Sequence, residues 1–290
     1  MAAQEMSVRP ASAWRTIRVL LAAFAAILVF VRPSPAFSAP DDPKATVGAS
    51  AVGIAIMHGK GGLPTRYVDS LASFLESQGF RVANIEMPWS GRRDYDVTVE
   101  AAESELQGAL DKLRAQGARK FFVAGHSQGG LFAMAFATRH AVDGVVALAP
   151  GGYADGALTR EKLGDSVARA KQLIGEGKGN EKARLSDFEG ARGVYPIIVT
   201  PAIYMTWFDP EGAMTIANSV KKMPPQVPVL FVVPTNDYPG LLKAKGPLFA
   251  ELPAHPKTRL YEPDGDHLGA PRVAREEVAR WLMEVAGDSR

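Results

Sequence analysis

The chain has 290 residues, of which 47% are hydrophobic and 22% charged, a globular composition that excludes wholesale disorder, collagen and coiled coil. It contains no cysteine, which excludes cysteine catalysis, thiolate metal sites and disulfides. Of its 33 basic and 31 acidic residues, four arginines and one glutamate lie in residues 1–36, which leaves 29 basic and 30 acidic residues beyond them. The formal charge of +2 therefore belongs to the N-terminal leader, and no nucleic-acid partner is predicted.

Residues 1–36 have the pattern of a secretory signal peptide. An arginine-bearing start precedes the apolar run 19–31, and a segment of prolines and small residues follows. A helix over that run would be roughly 20 Å long, short of the ~30 Å hydrocarbon core of a bilayer. We expect cleavage near Ala36 and a periplasmic or secreted mature protein. The alternative is an uncleaved membrane anchor at residues 19–31, the one membrane contact that the sequence suggests.

A polar linker at 37–50 is followed by a domain at 51–290 in which predicted strands and helices alternate. The predicted strands cover residues 51–57, 80–85, 120–124, 142–149, 227–233 and 258–261, and the predicted helices 67–78, 97–116, 129–140 and 274–285. This alternation predicts an α/β fold with a mostly parallel, doubly wound sheet of about six strands. Residues 151–226 interrupt the alternation and are predicted to form a mainly helical cap.

The pattern Gly125-His126-Ser127-Gln128-Gly129 lies directly between a predicted strand and a predicted helix. In that setting a serine can project from a sharp turn, because glycines on either side remove Cβ clashes. The following helix directs its N-terminal N–H groups toward a reacting oxygen. The pattern predicts that Ser127 is a nucleophile, and the alternative is an ordinary glycine turn with a capping serine.

A neutral serine hydroxyl needs a base, and five histidines are available. We assign this role to His267, because it follows the last predicted strand on the same face of the sheet as Ser127. The other four histidines are interpreted as structural: His126 should point away from the site, and His58 should brace its loop. His140 ends a predicted helix, where a cation suits the helix dipole, and His255 lies in a proline-flanked loop.

The histidine needs an orienting carboxylate. Asp237 directly follows the fifth predicted strand and gives the chain order Ser, Asp, His. Asp155 also follows a strand end and stays open as an alternative. Further alternatives are Asp209 in the insertion, and Asp264 and Asp266 beside the histidine, which are more simply turn residues.

Two backbone N–H groups are predicted to stabilise an oxyanion. Gln128 supplies one directly after the serine, and Lys60 in the HGKGG loop at 58–62 supplies the other. A phosphate-binding loop is the alternative for HGKGG, but the required G-x-x-x-x-G-K-[ST] pattern is absent.

Together, the HGKGG and GHSQGG motifs, Asp237 and His267 resemble the α/β-hydrolase superfamily over residues 51–285, and within it the serine esterases and lipases. The resemblance implies hydrolysis of carboxylic esters, thioesters, amides or lactones, with no cofactor and no metal. It also implies an opening antiparallel hairpin, for which the linker 37–50 is too short, so we expect a reduced sheet.

The predicted function is that of an exported serine hydrolase that cleaves a small acyl substrate through an acyl-enzyme. The alternatives are a serine peptidase or amidase, and a non-catalytic binding protein with the same fold. The sequence does not indicate an oligomeric state.

An aromatic cluster in the cap is predicted to contribute to substrate binding. The cap residues Tyr204, Trp207 and Phe208 would line an acyl pocket, with Trp89 as the opposite wall. Such a pocket would favour an apolar acyl chain. The alternative is that these side chains are plain core, where aromatic clusters are most often found.

Overall fold

A six-stranded parallel sheet forms the centre of the computed structural model, which describes residues 47–287. The strands along the chain are β1 (Val52–Met57), β2 (Arg81–Ile85), β3 (Lys120–His126), β4 (Gly144–Leu148), β5 (Ala183–Glu189), β6 (Gly193–Val199), β7 (Val229–Val232) and β8 (Arg259–Tyr261). The central sheet has the order β2-β1-β3-β4-β7-β8, with every neighbouring pair parallel. The predicted fold class is confirmed.

Helices cover both faces of this sheet. The helices along the chain, including those of the segment between β4 and β7, are α1 (Asp69–Ser77), α2 (Val99–Ala115), α3 (Gln128–Ala137), α4 (Ala157–Gly175), α5 (Pro201–Phe208), α6 (Ile216–Lys221), α7 (Pro239–Ala250), α8 (Ala270–Val273) and α9 (Arg275–Ala286). Alternate side chains of β1 enter two separate cores. Ile54 and Ile56 pack with α1 and α9, while Ala55 and Met57 pack with α2 and α3. Burial on both faces explains why the strands read as continuous apolar runs.

The segment between β4 and β7 forms the predicted cap, with one unpredicted element. Its helices α4, α5 and α6 agree with a mainly helical insertion, but β5 and β6 form an antiparallel hairpin. The sequence analysis missed this hairpin because β5 mixes charged, polar and apolar residues, which hides the alternation typical of a strand. Helix α7 was also not predicted, since it contains Pro247.

The predicted leader, residues 1–36, lies outside the described residues. Among residues 47–287, none of the helices has both the length and the apolar character that a membrane crossing requires.

Candidate active site

Ser127 lies on a strained turn between β3 and α3. Its backbone has φ 53° and ψ −118°, a conformation that costs a non-glycine residue about 1–3 kcal/mol. The flanking glycines make this turn possible. A Cβ at Gly125 would lie 2.1 Å from the carbonyl carbon of Gly129, and one at Gly129 would lie 2.7 Å from the His58 carbonyl oxygen. The close packing of these backbones explains the glycine spacing of the motif.

His267 and Asp237 lie on adjacent loops and are hydrogen-bonded. The Nδ1 of His267 is 2.8 Å from the Oδ1 of Asp237, whose side chain is fully buried. Asp237 follows β7 and His267 follows β8, and a parallel bridge between Asn236 and Asp266 holds the two loops together. With Nδ1–H donated to the carboxylate, the Nε2 of a neutral imidazole is left as an acceptor.

The remaining candidate acids have other roles. Asp155, the open alternative, caps α6: its carboxylate accepts the N–H groups of Ile216 at 3.0 Å and Ala217 at 3.3 Å. Asp266 accepts the N–H of Gly269 at 2.7 Å, as expected of a turn residue. The structure therefore pairs His267 with Asp237 and not with Asp155.

His126 has a role that the sequence analysis missed. Its buried ring donates from Nε2 to the backbone carbonyl of His267 over 2.8 Å. Burial, and then the nearby His267, lower its pKa from 6.5 to about 4, so the ring is neutral at pH 7. The expectation was only that His126 would point away. Instead, it joins the loop of His267 to the turn of Ser127.

His58 braces the first loop, as expected. Its Nδ1–H donates to the carbonyl of Gly59 over 2.7 Å, and its Nε2 accepts the N–H of Met87 over 3.0 Å. Burial lowers the pKa of His58, which keeps the ring in this neutral form.

Lys60 and Gln128, the predicted oxyanion donors, both line the same cavity as Ser127. Gln128 is the first residue of α3, and the N–H groups of a first helical turn have no intrahelical partner. In the 58–62 loop, the N–H of Gly61 donates to the carbonyl of Trp89 (2.8 Å) and that of Gly62 to Gly59 (3.0 Å). Those two N–H groups already have backbone acceptors, so the Lys60 N–H stays the candidate donor.

A cavity of about 430 Å³ connects these residues. Ser127, His267, Lys60 and Gln128 all line it, and the cap contributes residues 188–192, which are the end of β5 and the turn to β6. Much of the wall is polar: it includes backbone of several glycines and the charged side chains of Arg66, Glu189 and Arg192.

The four predicted substrate-binding aromatics lie outside this cavity, which corrects that prediction. Trp89, Tyr204, Trp207 and Phe208 are buried and pack on each other, with ring centroids 5.6 Å apart for Trp89 and Trp207 and 4.4 Å for Tyr204 and Phe208. Both indoles donate to backbone carbonyls, Trp89 to His58 (2.9 Å) and Trp207 to Val97 (2.8 Å). Aromatic rings bury more apolar area when they pack on each other than when they face a cavity. The alternative that these side chains are plain core therefore applies.

Comparison with known proteins relates the chain to one family. A family model described as "Alpha/beta hydrolase family" matches residues 54–281. No curated protein matches the chain.

Several solved structures share the fold. A monoacylglycerol lipase from Paleococcus ferrophilus is 22% identical (TM-score 0.55), over 80% of this chain and 94% of that one. Est1E from Butyrivibrio proteoclasticus is 18% identical (TM-score 0.56), over 83% and 90%. A thermostable carboxyl esterase from Bacillus coagulans is 19% identical (TM-score 0.53), over 80% and 88%. At these identities the similarity shows the fold alone.

Proposed function

Because the chain belongs to the alpha/beta hydrolase family, we propose that it hydrolyses carboxylic esters with Ser127 as nucleophile. The observation that carries this proposal is the buried hydrogen bond between Asp237 and His267, together with the position of His267 and the strained Ser127 at one cavity. Serine, aspartate and histidine in this chain order, each following a parallel strand, are the parts that acyl transfer requires.

In the proposed mechanism, the Nε2 of His267 removes the proton of Ser127 Oγ as that oxygen attacks the ester carbonyl carbon. The electron pair of the carbonyl moves to its oxygen, and the N–H groups of Gln128 and Lys60 stabilise the resulting oxyanion. The tetrahedral intermediate collapses, and His267 returns the proton to the departing alkoxide. Water then attacks the acyl-enzyme by the same steps and releases the acid.

Asp237 serves this reaction by holding His267. Its carboxylate fixes the tautomer in which Nδ1 carries the proton, and it stabilises the imidazolium that forms during each proton transfer. No step requires a cofactor or a metal.

The cavity supports a small or medium acyl substrate. A volume of about 430 Å³ is in the range of small-molecule sites. The structurally similar enzymes from P. ferrophilus and B. coagulans are named as a monoacylglycerol lipase and a carboxyl esterase, which favours esters over amides for this chain.

We also propose that the mature protein is exported after removal of residues 1–36, on the signal-peptide pattern of that segment. Mass spectrometry of the protein from its native cell should find an N-terminus near Phe37. An intact Met1 in the membrane fraction would favour the anchor at residues 19–31 instead.

The nucleophile is tested with a fluorophosphonate probe, which forms a covalent bond with an activated serine. The wild-type protein should be labelled, and Ser127→Ala should not. As a matched control, Ser90→Ala should keep full labelling, since Ser90 is a buried serine whose hydroxyl donates to Glu86 instead. A wild type that is neither labelled nor active on short-chain esters would refute the proposed function.

A further inference from the structure

A buried carboxylate in the cap makes contacts that extend to the proposed oxyanion hole. Asp187 lies in β5 and its side chain is fully inaccessible to solvent. Its Oδ1 is 2.5 Å from the ammonium of Lys60 and accepts the N–H of Phe188 over 2.6 Å. Its Oδ2 accepts the hydroxyls of Tyr195 (2.7 Å) and Tyr95 (3.0 Å). Both oxygens are therefore fully engaged, as a buried charge requires.

Lys60 connects this carboxylate to the 58–62 loop. Its side chain is only 9% exposed and crosses from that loop to the cap hairpin, where it also donates to the carbonyl of Phe188 over 3.0 Å. The Lys60 backbone N–H is one of the two proposed oxyanion donors. A glycine-rich loop has little stiffness of its own, so its backbone position depends on such external contacts.

Tyr95 connects the same carboxylate to the second donor. Its hydroxyl donates its single proton to Asp187 Oδ2 over 3.0 Å, and the hydroxyl oxygen lies 3.3 Å from the side-chain amide of Gln128. The Gln128 backbone N–H is the other proposed oxyanion donor. One cap residue thus contacts, directly or through one hydroxyl, the side chains of both residues that would hold the oxyanion.

We infer that Asp187 is a positioning residue that fixes the positions of the Lys60 and Gln128 backbone N–H groups. The β5–β6 hairpin of the cap, which carries Asp187, thereby contributes to the oxyanion hole. The inference rests on the proposed function. It assigns the hairpin a role in the rate of the chemical step, beyond covering the cavity.

The role requires that Asp187 act more strongly on the transition state than on the bound ester. An oxyanion exists only in the transition state and the tetrahedral intermediates, so misplaced donors lower kcat and leave KM nearly unchanged. A side chain that only shapes the cavity would change KM instead of kcat.

The test compares Lys60→Met, Asp187→Asn and the double variant. Lys60→Met keeps nearly the length of the side chain but leaves the buried Asp187 carboxylate without its ammonium, and Asp187→Asn leaves the ammonium without its carboxylate. Only the double variant removes both charges together, so it separates the loss of the connection from the cost of an unpaired buried charge. Full removal of an oxyanion donor costs about 10²–10³-fold in kcat. Displacement of the donors should cost roughly 10–100-fold, with KM within about threefold. Because both residues act through one connection, the double variant should lose no more than the worse single variant.

A second measurement uses an alkyl boronic acid. Its tetrahedral adduct with Ser127 places a negatively charged oxygen in the oxyanion hole. In each variant, the inhibition constant of the boronic acid should therefore rise by about the same factor by which kcat falls. A carboxylic acid product of the same chain length forms no such adduct, and its inhibition constant should not change.

Glu103→Gln is the matched control for lost stability. Glu103 is likewise a buried carboxylate in an ion pair, with Arg139, but it lies in α2 and does not line the cavity. This variant should lower Tm and leave kcat and boronic acid binding unchanged.

If Lys60→Met and the double variant lower only Tm, Asp187 is structural and the inference is overturned while the proposed function stands. A wild type without fluorophosphonate labelling or ester turnover overturns both. If Asp187→Asn does not fold, the other two variants still decide the question.

Discussion

The Nε2–H of His126 donates to the backbone carbonyl of His267 over 2.8 Å, so the residue before the proposed nucleophile holds the loop of the proposed base. Their rings also lie close, with centroids 4.9 Å apart. The spacing between nucleophile and base is therefore set by a contact next to both of them, rather than only by the distant packing of the sheet.

This contact predicts an effect of His126 on catalysis. His126→Leu leaves the His267 carbonyl without its donor, and the looser loop should lower kcat about tenfold or more, since small displacements of reacting groups are costly. His126→Gln carries an N–H donor at a similar reach and should recover most of the activity. Equal kcat for the Leu and Gln variants would show that the contact does not position His267.

The same histidine predicts a pH dependence of stability. Burial lowers the pKa of His126 to about 4 from 6.5, so between these values the unfolded chain binds more protons than the folded one. The free energy of unfolding should therefore fall as pH is lowered from about 6.5 toward 4, by up to about 3 kcal/mol from this group. Urea titrations at pH 7 and pH 5 should show a smaller loss for His126→Gln than for the wild type. An identical loss would assign the effect to other groups, such as buried His58.

Ser127→Ala should remove at least ~10³-fold of ester turnover with the fold intact, as the loss of a triad serine does in general. Ser127→Gly should be equally inactive and more stable than the alanine variant by about 1 kcal/mol, because glycine adopts a positive φ without strain. Activity assays and thermal melts of both variants test this. Full turnover by purified Ser127→Ala would exclude Ser127 as the nucleophile.

Asp237→Asn should reduce kcat strongly, because the amide no longer selects the histidine tautomer that accepts the serine proton. Asp155→Asn should leave kcat and stability nearly unchanged, since Asp155 only caps α6 and the amide oxygen of asparagine can accept the same N–H groups. Kinetics of both variants at one pH test the assignment, and the opposite ranking of kcat would reverse it.

Trp207→Ala should destabilise the protein by about 3–5 kcal/mol, as expected for a buried tryptophan, without changing the preference among ester chain lengths. Phe188→Ala should change that preference, because Phe188 lines the cavity. The measurement is kcat/KM over a series of p-nitrophenyl esters. If Trp207→Ala changes the dependence of kcat/KM on ester chain length, the aromatic cluster contributes to substrate binding after all.

The sequence predicted the sheet and the serine turn well for physical reasons. All six central strands coincide with predicted ones. The inner strands β1, β4 and β7 are buried on both faces and are therefore apolar throughout. The half-buried edge strands β2 and β8 contain arginine and were predicted from their place in the alternation with helices. The turn at Ser127 was predictable because only glycine fits beside it at positions 125 and 129.

The parts that were missed depend on contacts between distant residues. Lys60 and Asp187 are 127 positions apart, and no local pattern marks such a pair. The aromatic cluster at Tyr204 and Trp207 was placed in the cavity because periodicity shows that a side chain is apolar but not whether it faces a cavity or the core.

The position of β8 has a consequence for the way the protein loses activity. This strand has only three residues and forms an edge of the sheet, and the loop of His267 follows directly from it. Short edge strands open at a lower free energy than a central core does. Detachment of β8 would withdraw the base while β1, β3 and β4 remain folded. In a urea titration, ester hydrolysis should therefore disappear at a lower concentration than the far-UV circular dichroism signal, and coincident transitions would show that β8 opens only with the whole domain.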